Sequence, residues 1–177
     1  MRAFLAIPLP RATQARLAEA GAGIPGLRAQ KPETLHLTVR FLGDIADAEA
    51  VAGAVAPVAA KHRPFDMELQ RIGVFPPRGA PRVVWVGLGA GEMQAGALAA
   101  GVEDALAALG FPRERRPWHG HVTLGRFREG GRPARDVVDP ARAFGTVRAA
   151  TLVLYESTLP PDGAVHRAVK EMPLGSA

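Results

Sequence analysis

The 177-residue chain has no cysteine, which excludes disulfides, thiolate metal sites and a cysteine nucleophile at once. Lysine is nearly missing: Lys31, Lys61 and Lys170 are its only three, so 19 of the 22 basic residues are arginines. No apolar run approaches the ~20 residues needed to cross a bilayer. The opening "MRAFLAIPLP" meets Pro8 and Pro10 too early for a secretory leader and is expected to form a first strand. A Walker lysine motif is absent. The glycine-rich "VVWVGLGAGE" carries Glu92 where a dinucleotide fingerprint needs its third glycine, so Gly87 and Gly89 do not mark a nucleotide cofactor site. These absences leave a cofactor-free chain expected in the cytoplasm. The lack of any heptad pattern makes a monomer the default.

What is present is an ordinary globular composition, 47% apolar and 22% charged, with a net charge of +5. The charge is unevenly placed. Residues 111–135 hold Arg113, Arg115, Arg116, Arg126, Arg128, Arg132 and Arg135 against only Glu114 and Glu129. Arginine's planar fork suits phosphate, so this segment is a candidate nucleic-acid contact. The competing explanation, a general preference for arginine over lysine, accounts for the bias but not for the clustering.

Alternating and apolar runs predict strands over 2–9, 35–43, 65–75, 82–89, 121–128, 146–157 and 164–174. Helices are predicted over 11–24, over 46–62 with Pro57 as a kink or stop, and over 91–110 before the Gly110 cap. A short helix or two turns is expected over 133–144. The order is β-α-β-α-β followed by β-α-β-α-β and a further strand, as if one unit had been duplicated across the "PPRGAP" join. The expected fold is α+β, one domain over 1–177. Its two pseudo-symmetric lobes, about 1–78 and 79–177, each carry a mainly antiparallel sheet with outer helices. Terminal strands can cross between lobes in such a duplication, and a central cleft lies between them.

The duplication gains weight from a repeated motif. "LHLTVRFLG" (35–43) and "GHVTLGRFR" (120–128) both place His-x-Thr on the second main strand of a half. Side chains alternate along a strand, so His36, Thr38 and Arg40 are expected on one face and Leu37 and Val39 on the other. His121 and Thr123 share a face in the same way. Each pair roots an imidazole and a hydroxyl two residues, about 7 Å, apart along the strand. Across a cleft, two such pairs suit a tetrahedral phosphodiester. One histidine takes a proton from the attacking oxygen, the other gives one to the leaving oxygen, and threonines and an arginine meet the phosphate charge. A single His-x-Thr on a strand means little. Two at matching positions are a site.

These motifs, with "FLAIPLP", "VVWVGLG", "RPWHGHVTLGR" and "LVLYES", resemble the 2H phosphoesterase superfamily, and within it the RNA 2',3'-cyclic phosphodiesterases, also called 2'-5' RNA ligases. The resemblance covers nearly the whole chain. It implies a metal-independent enzyme that opens a terminal 2',3'-cyclic phosphate on RNA to a 2'-phosphate, with reversible 2'-5' joining of tRNA halves as a further activity. His36 and His121 become the catalytic pair and Thr38 and Thr123 the phosphate contacts. For hydrolysis His36 is expected as the acid and His121 as the base, with the roles exchanged in the reverse direction. The resemblance also implies a nucleobase held by Phe41 and Arg126, five residues after each histidine. Plain alternation turns both away from the cleft, so a bulge or twist near Gly43 and Gly125 is needed.

Arg40 and Trp118 are expected to complete the RNA-binding surface, Trp118 as a cleft wall, while Trp85 is expected in the core. Two rival functions remain. "HGH" (119–121) with His36 is a three-histidine set for a zinc hydrolase, although no carboxylate stands at ligand spacing and the threonines are then unexplained. A non-catalytic RNA-binding module leaves both retained histidines without a task. His62 reads as a solvated helix end, and His166 has no partner in the sequence.

Overall fold

The computed structural model describes residues 1–129 and 137–175, so Arg132 and Arg135 lie outside the described residues. Among the described residues, nine strands and three helices follow one another as β1 (Arg2–Pro8), α1 (Arg11–Ala22), β2 (Leu27–Ala29), β3 (His36–Asp44), α2 (Ala48–Lys61), β4 (Phe65–Phe75), β5 (Val83–Leu88), α3 (Glu92–Ala108), β6 (His121–Phe127), β7 (Asp139–Ala149), β8 (Thr151–Thr158) and β9 (Val165–Pro173). A 3-10 turn at Pro32–Thr34 leads into β3.

The strands make two antiparallel sheets, β3-β1-β8-β9 and β2-β6-β5-β4-β7. Sheet position explains the residue patterns. β1 and β5 are interior strands, and their continuous apolar runs are buried on both faces. β3 alternates half-buried and buried residues, because one face meets the core and the other opens to the cleft. The first sheet takes β1 and β3 from early in the chain and β8 and β9 from its end. The second takes β2 and β4 from the first half.

Helices cover the outer faces. α1 packs on β2, β6 and β7, α2 on β8 and β9, and α3 on β3 and α2. Leu17, Val55, Leu98, Val102 and Leu106 carry those contacts, fully buried. Removing such a leucine to alanine costs about 2–5 kcal/mol. Pro57 neither stops nor ends α2, which runs on to Lys61. Asp47 caps its start by accepting from the Ala50 amide at 3.0 Å.

The structure departs from expectation at three elements, the first being the strand expected over 146–157: β7 ends at Ala149 in the second sheet and β8 begins at Thr151 in the first. The span 133–144 is not helical where it is described, since β7 begins at Asp139. β7 is an edge strand, so Pro140 is tolerated there and most of its side chains are exposed, which hides the strand alternation. The short β2 carries no sequence signal at all. Among the described residues no helix is long and apolar enough to cross a membrane.

Candidate active site

His36 opens β3 at the edge of the first sheet. Its Nε2 lies 2.9 Å from Thr38 Oγ1, and the Thr34 backbone stands close enough to raise its pKa. The Thr38 hydroxyl serves either form of Nε2, donating to its lone pair or accepting from its N–H. Phe4 stacks on His36 with centroids 4.6 Å apart, Tyr155 stacks on Phe4 at 5.2 Å, and the His166 ring lies 5.2 Å from His36. Burial among these rings, and then the neighbouring His166, push the His36 pKa down to about 4; the Thr34 carbonyl opposes the shift, and His121 adds to it.

His121 opens β6 in the second sheet. Its Nδ1 lies 2.7 Å from the His119 carbonyl, which fixes the ring with Nε2 free. Phe75 meets His121 edge-on at 5.3 Å, and Trp85 lies beneath His119 at 4.8 Å. Burial lowers the His121 pKa, the His119 carbonyl opposes that, and the charges of His119 and Arg126 add to the lowering. The two walls meet where β3 lies against β6, and the Trp118 indole donates to the Thr38 carbonyl across that junction at 3.3 Å. Both histidine-threonine pairs thus line one cleft.

The register of the two strands answers where Phe41 and Arg126 point. In β3, Ala6 stands opposite Thr38 and Leu5 opposite Arg40, so Val39 is an extra residue. In β6, Trp85 stands opposite Thr123 and Val84 opposite Gly125, so Leu124 is the extra residue. The bulges fall at the same place in both copies, three residues after each histidine. Each reverses the alternation beyond it. Phe41 therefore returns to the cleft face, opposite Phe4, with centroids 6.0 Å apart and 63% of its surface exposed. Arg126 returns to the cleft face opposite Val83.

The same bulge corrects the expectation for Arg40. It is turned off the His36 face and bonds Glu103 at 2.8 Å and Glu114 at 3.0 Å, with two further carbonyl partners at Phe41 and Pro112. Its charge ties β3 to α3 and to the arginine-rich loop, not to the cleft. Trp118, expected as a cleft wall, is half-buried: it packs against the core and donates to the Thr38 carbonyl. Trp85 is buried as expected, yet it forms the floor under the second histidine pair.

Two residues belong to this cleft without a legible signal. His166 reaches His36 because β9 pairs with β8, a juxtaposition visible only in the assembled sheet. Arg71 sits at a bulge in β4 with φ of 60°, a left-handed conformation that costs a non-glycine residue about 1–2 kcal/mol. Its guanidinium lies 6.0 Å over Trp85 and donates to the Leu88 carbonyl at 2.9 Å. It occupies the space a side chain at Gly87 would fill, since a Cβ there would lie 2.9 Å from it. Gly87 is directly opposite His121, and the guanidinium's charge helps to lower the pKa of the neighbouring His119. Among the described residues no three histidine, aspartate or glutamate side chains converge as a metal-ligand set.

With this geometry in hand, comparison with known proteins is direct. The sequence profile of the family described as LigT like Phosphoesterase matches residues 7–85 and, a second time, 88–166. The chain belongs to this family. Members similar to it and named RNA 2',3'-cyclic phosphodiesterase include one from Thermus thermophilus, 34% identical across 98% of this chain and 90% of the relative. Another, from Methanocaldococcus jannaschii, is 30% identical across 97% of this chain and 99% of the relative. Among solved structures, TT0787 of Thermus thermophilus superposes with a TM-score of 0.80 at 32% identity, covering 99% of both chains. Escherichia coli LigT complexed with 3'-AMP gives 0.79 at 26%, covering 98% of this chain and 97% of LigT. The resemblance seen in the two motifs holds for family and for fold.

Proposed function

We propose that the chain is an RNA 2',3'-cyclic phosphodiesterase that opens a terminal cyclic phosphate to a 2'-phosphate with His36 and His121 as its acid and base. The observation that carries the reading is the matched pair of imidazoles. His36 Nε2 lies 2.9 Å from Thr38 Oγ1, and His121 Nδ1 lies 2.7 Å from the His119 carbonyl, so each motif holds its imidazole on the half-buried face of its strand. The relatives' shared name supplies the substrate class.

In this reading a water oxygen bonds to phosphorus while His121 Nε2, whose lone pair is unengaged, takes the water proton. The bond from phosphorus to the 3' oxygen breaks as His36 Nε2 gives that oxygen a proton. The products are a 2'-phosphate and a 3'-hydroxyl. A burial-lowered pKa makes protonated His36 the stronger acid of the two, and the phosphate anion between the rings draws the required proton into the site. Thr38 and Thr123 hold the non-bridging oxygens, and Arg71 supplies the positive charge that Arg40 does not. Phe41 stacks on the terminal base beside Arg126. A 5'-hydroxyl in place of water yields a 2'-5' bond, so the same residues serve ligation.

Both histidines come from one chain, so a monomer is the proposed working unit, with the two lobes acting as one domain. The test is an RNA ending in a 2',3'-cyclic phosphate, incubated with EDTA. Conversion to a 2'-phosphate end supports the reading. A 3'-phosphate product, or activity that vanishes with EDTA and returns with zinc, contradicts it.

A further inference from the structure

His36 stands on β3, an edge strand of the first sheet, and His121 on β6, an interior strand of the second. Among the described residues no strand pairing joins the two sheets. Proton transfer by two groups needs their separation held closely, since a displacement of about 1 Å costs about a hundredfold in rate. One stretch of chain, 111–120 between α3 and β6, touches the machinery of both strands. Near its end the Trp118 indole donates to the Thr38 carbonyl at 3.3 Å. The next residue, His119, supplies the carbonyl that holds His121 Nδ1 at 2.7 Å. Residues 112–117 are exposed, so apolar burial does little to fix this stretch.

What fixes it is Arg40, whose side chain is only 10% exposed. Its Nε donates to Glu103 of α3 at 2.8 Å. Its Nη1 donates to the Glu114 carboxylate at 3.0 Å and to the Phe41 carbonyl, and its Nη2 to the Pro112 carbonyl. Glu103 closes the network by accepting from the Glu114 amide at 2.7 Å. Arg40 lies on the His36 strand, one residue past the Val39 bulge, and three of its four partners belong to the other half of the chain. Desolvation offsets much of the Coulomb gain of a buried ion pair, so stability alone is a poor account of this one. Donors pointing in three fixed directions are what a guanidinium provides and an ammonium does not.

We propose that Arg40 is a positioning residue for the reaction: it latches the stretch 111–120 onto β3 and so fixes the His121 imidazole relative to His36. The inference rests on the phosphodiesterase reading above and adds to it the residue that keeps acid and base at their working separation. Arg40 acts through Trp118 and His119 and not by touching the phosphate.

The experiment compares wild type with Arg40→Lys and Glu114→Gln on a 2',3'-cyclic mononucleotide, each protein assayed well below its unfolding transition. Glu114 is the exposed partner, and its change to glutamine leaves the Arg40–Glu103 pair whole. The latch predicts kcat lowered about tenfold in Arg40→Lys. In Glu114→Gln it predicts a loss of about threefold. Both KM values stay within about twofold of wild type, because neither residue meets the substrate. The Trp118 indole and His121 ring signals shift in NMR spectra of both variants. A purely structural role lowers the unfolding midpoint but leaves kcat of the folded protein and those two signals in place, and that result overturns the latch. So does a raised KM with kcat unchanged, which returns Arg40 to substrate binding. Should Arg40→Lys fail to fold, kcat and the two signals in Glu114→Gln decide the matter alone. If wild type does not turn over the cyclic phosphate, the phosphodiesterase reading fails, and the Trp118 and His121 signals still test the latch. Unmoved in the variants, they refute it.

Discussion

A histidine on a strand takes its chemistry from what holds its second nitrogen. His36 is held through Nε2 at Thr38 and His121 through Nδ1 at the His119 carbonyl, and their surroundings differ as well. Phe4, Tyr155 and His166 enclose the first, while Phe75, Trp85 and His119 surround the second. His166 is the neighbour whose charge most depresses His36, after burial itself. His166→Asn removes that charge, so the His36 pKa rises from about 4; imidazole proton shifts followed by NMR against pH check the direction. A fall, or no movement, contradicts the assigned cause. The two His-x-Thr motifs were plain in the sequence because they repeat. His166 and Arg71 were not, because each becomes meaningful only through strand pairing or a backbone conformation that residue type does not announce.

At the scale of elements, periodicity gave the three helices and most strands, but it joined the end of β7 and β8 into one strand over 146–157 and missed β2. What periodicity cannot show is a change of phase. Val39 and Leu124 are buried apolar residues in register with the alternation, so nothing in their identity marks a bulge. Yet the bulges decide that Phe41 and Arg126 face the cleft and that Arg40 does not. The glycines flanking them, Gly43 and Gly125, pointed to the right neighbourhood for a bend without giving its position. Gly87 is the corresponding device on β5. Gly87→Ala places a methyl where the Arg71 guanidinium lies, and that flexible tip moves at little cost to the fold. Steady-state kinetics are expected to show kcat lower by on the order of tenfold. Urea unfolding is expected to change by less than about 1 kcal/mol. Unchanged kcat would separate Arg71 from the reaction.

The whole molecule joins two sheets so that each presents one histidine motif to a shared cleft, with helices covering the outer faces. The two-lobe plan was legible in the order of elements and the spacing of the motifs. The assignment of β2 and β4 to the second sheet was not, because it depends on long-range pairing. Enclosing neutral imidazoles has a global consequence. In the unfolded chain His36 titrates near 6.5, and in the folded one near 4, so protons favour the unfolded state between those values. That part of the stability is fully present above about pH 6.5 and is lost as pH falls toward 4, on the order of 3 kcal/mol. His119, His121 and His166 are shifted the same way and add to the loss. Urea midpoints at about pH 7 and about pH 4.5 test this, and His36→Gln should flatten the difference. The central claim is that two histidines of one chain, working as acid and base, open a cyclic phosphate. Its most direct measurement is the single-turnover rate on an RNA ending in a 2',3'-cyclic phosphate, with EDTA present, for wild type, His36→Ala and His121→Ala. The account predicts a 2'-phosphate product from wild type and a loss of at least about a hundredfold in each variant; a wild-type rate in either single variant would contradict it.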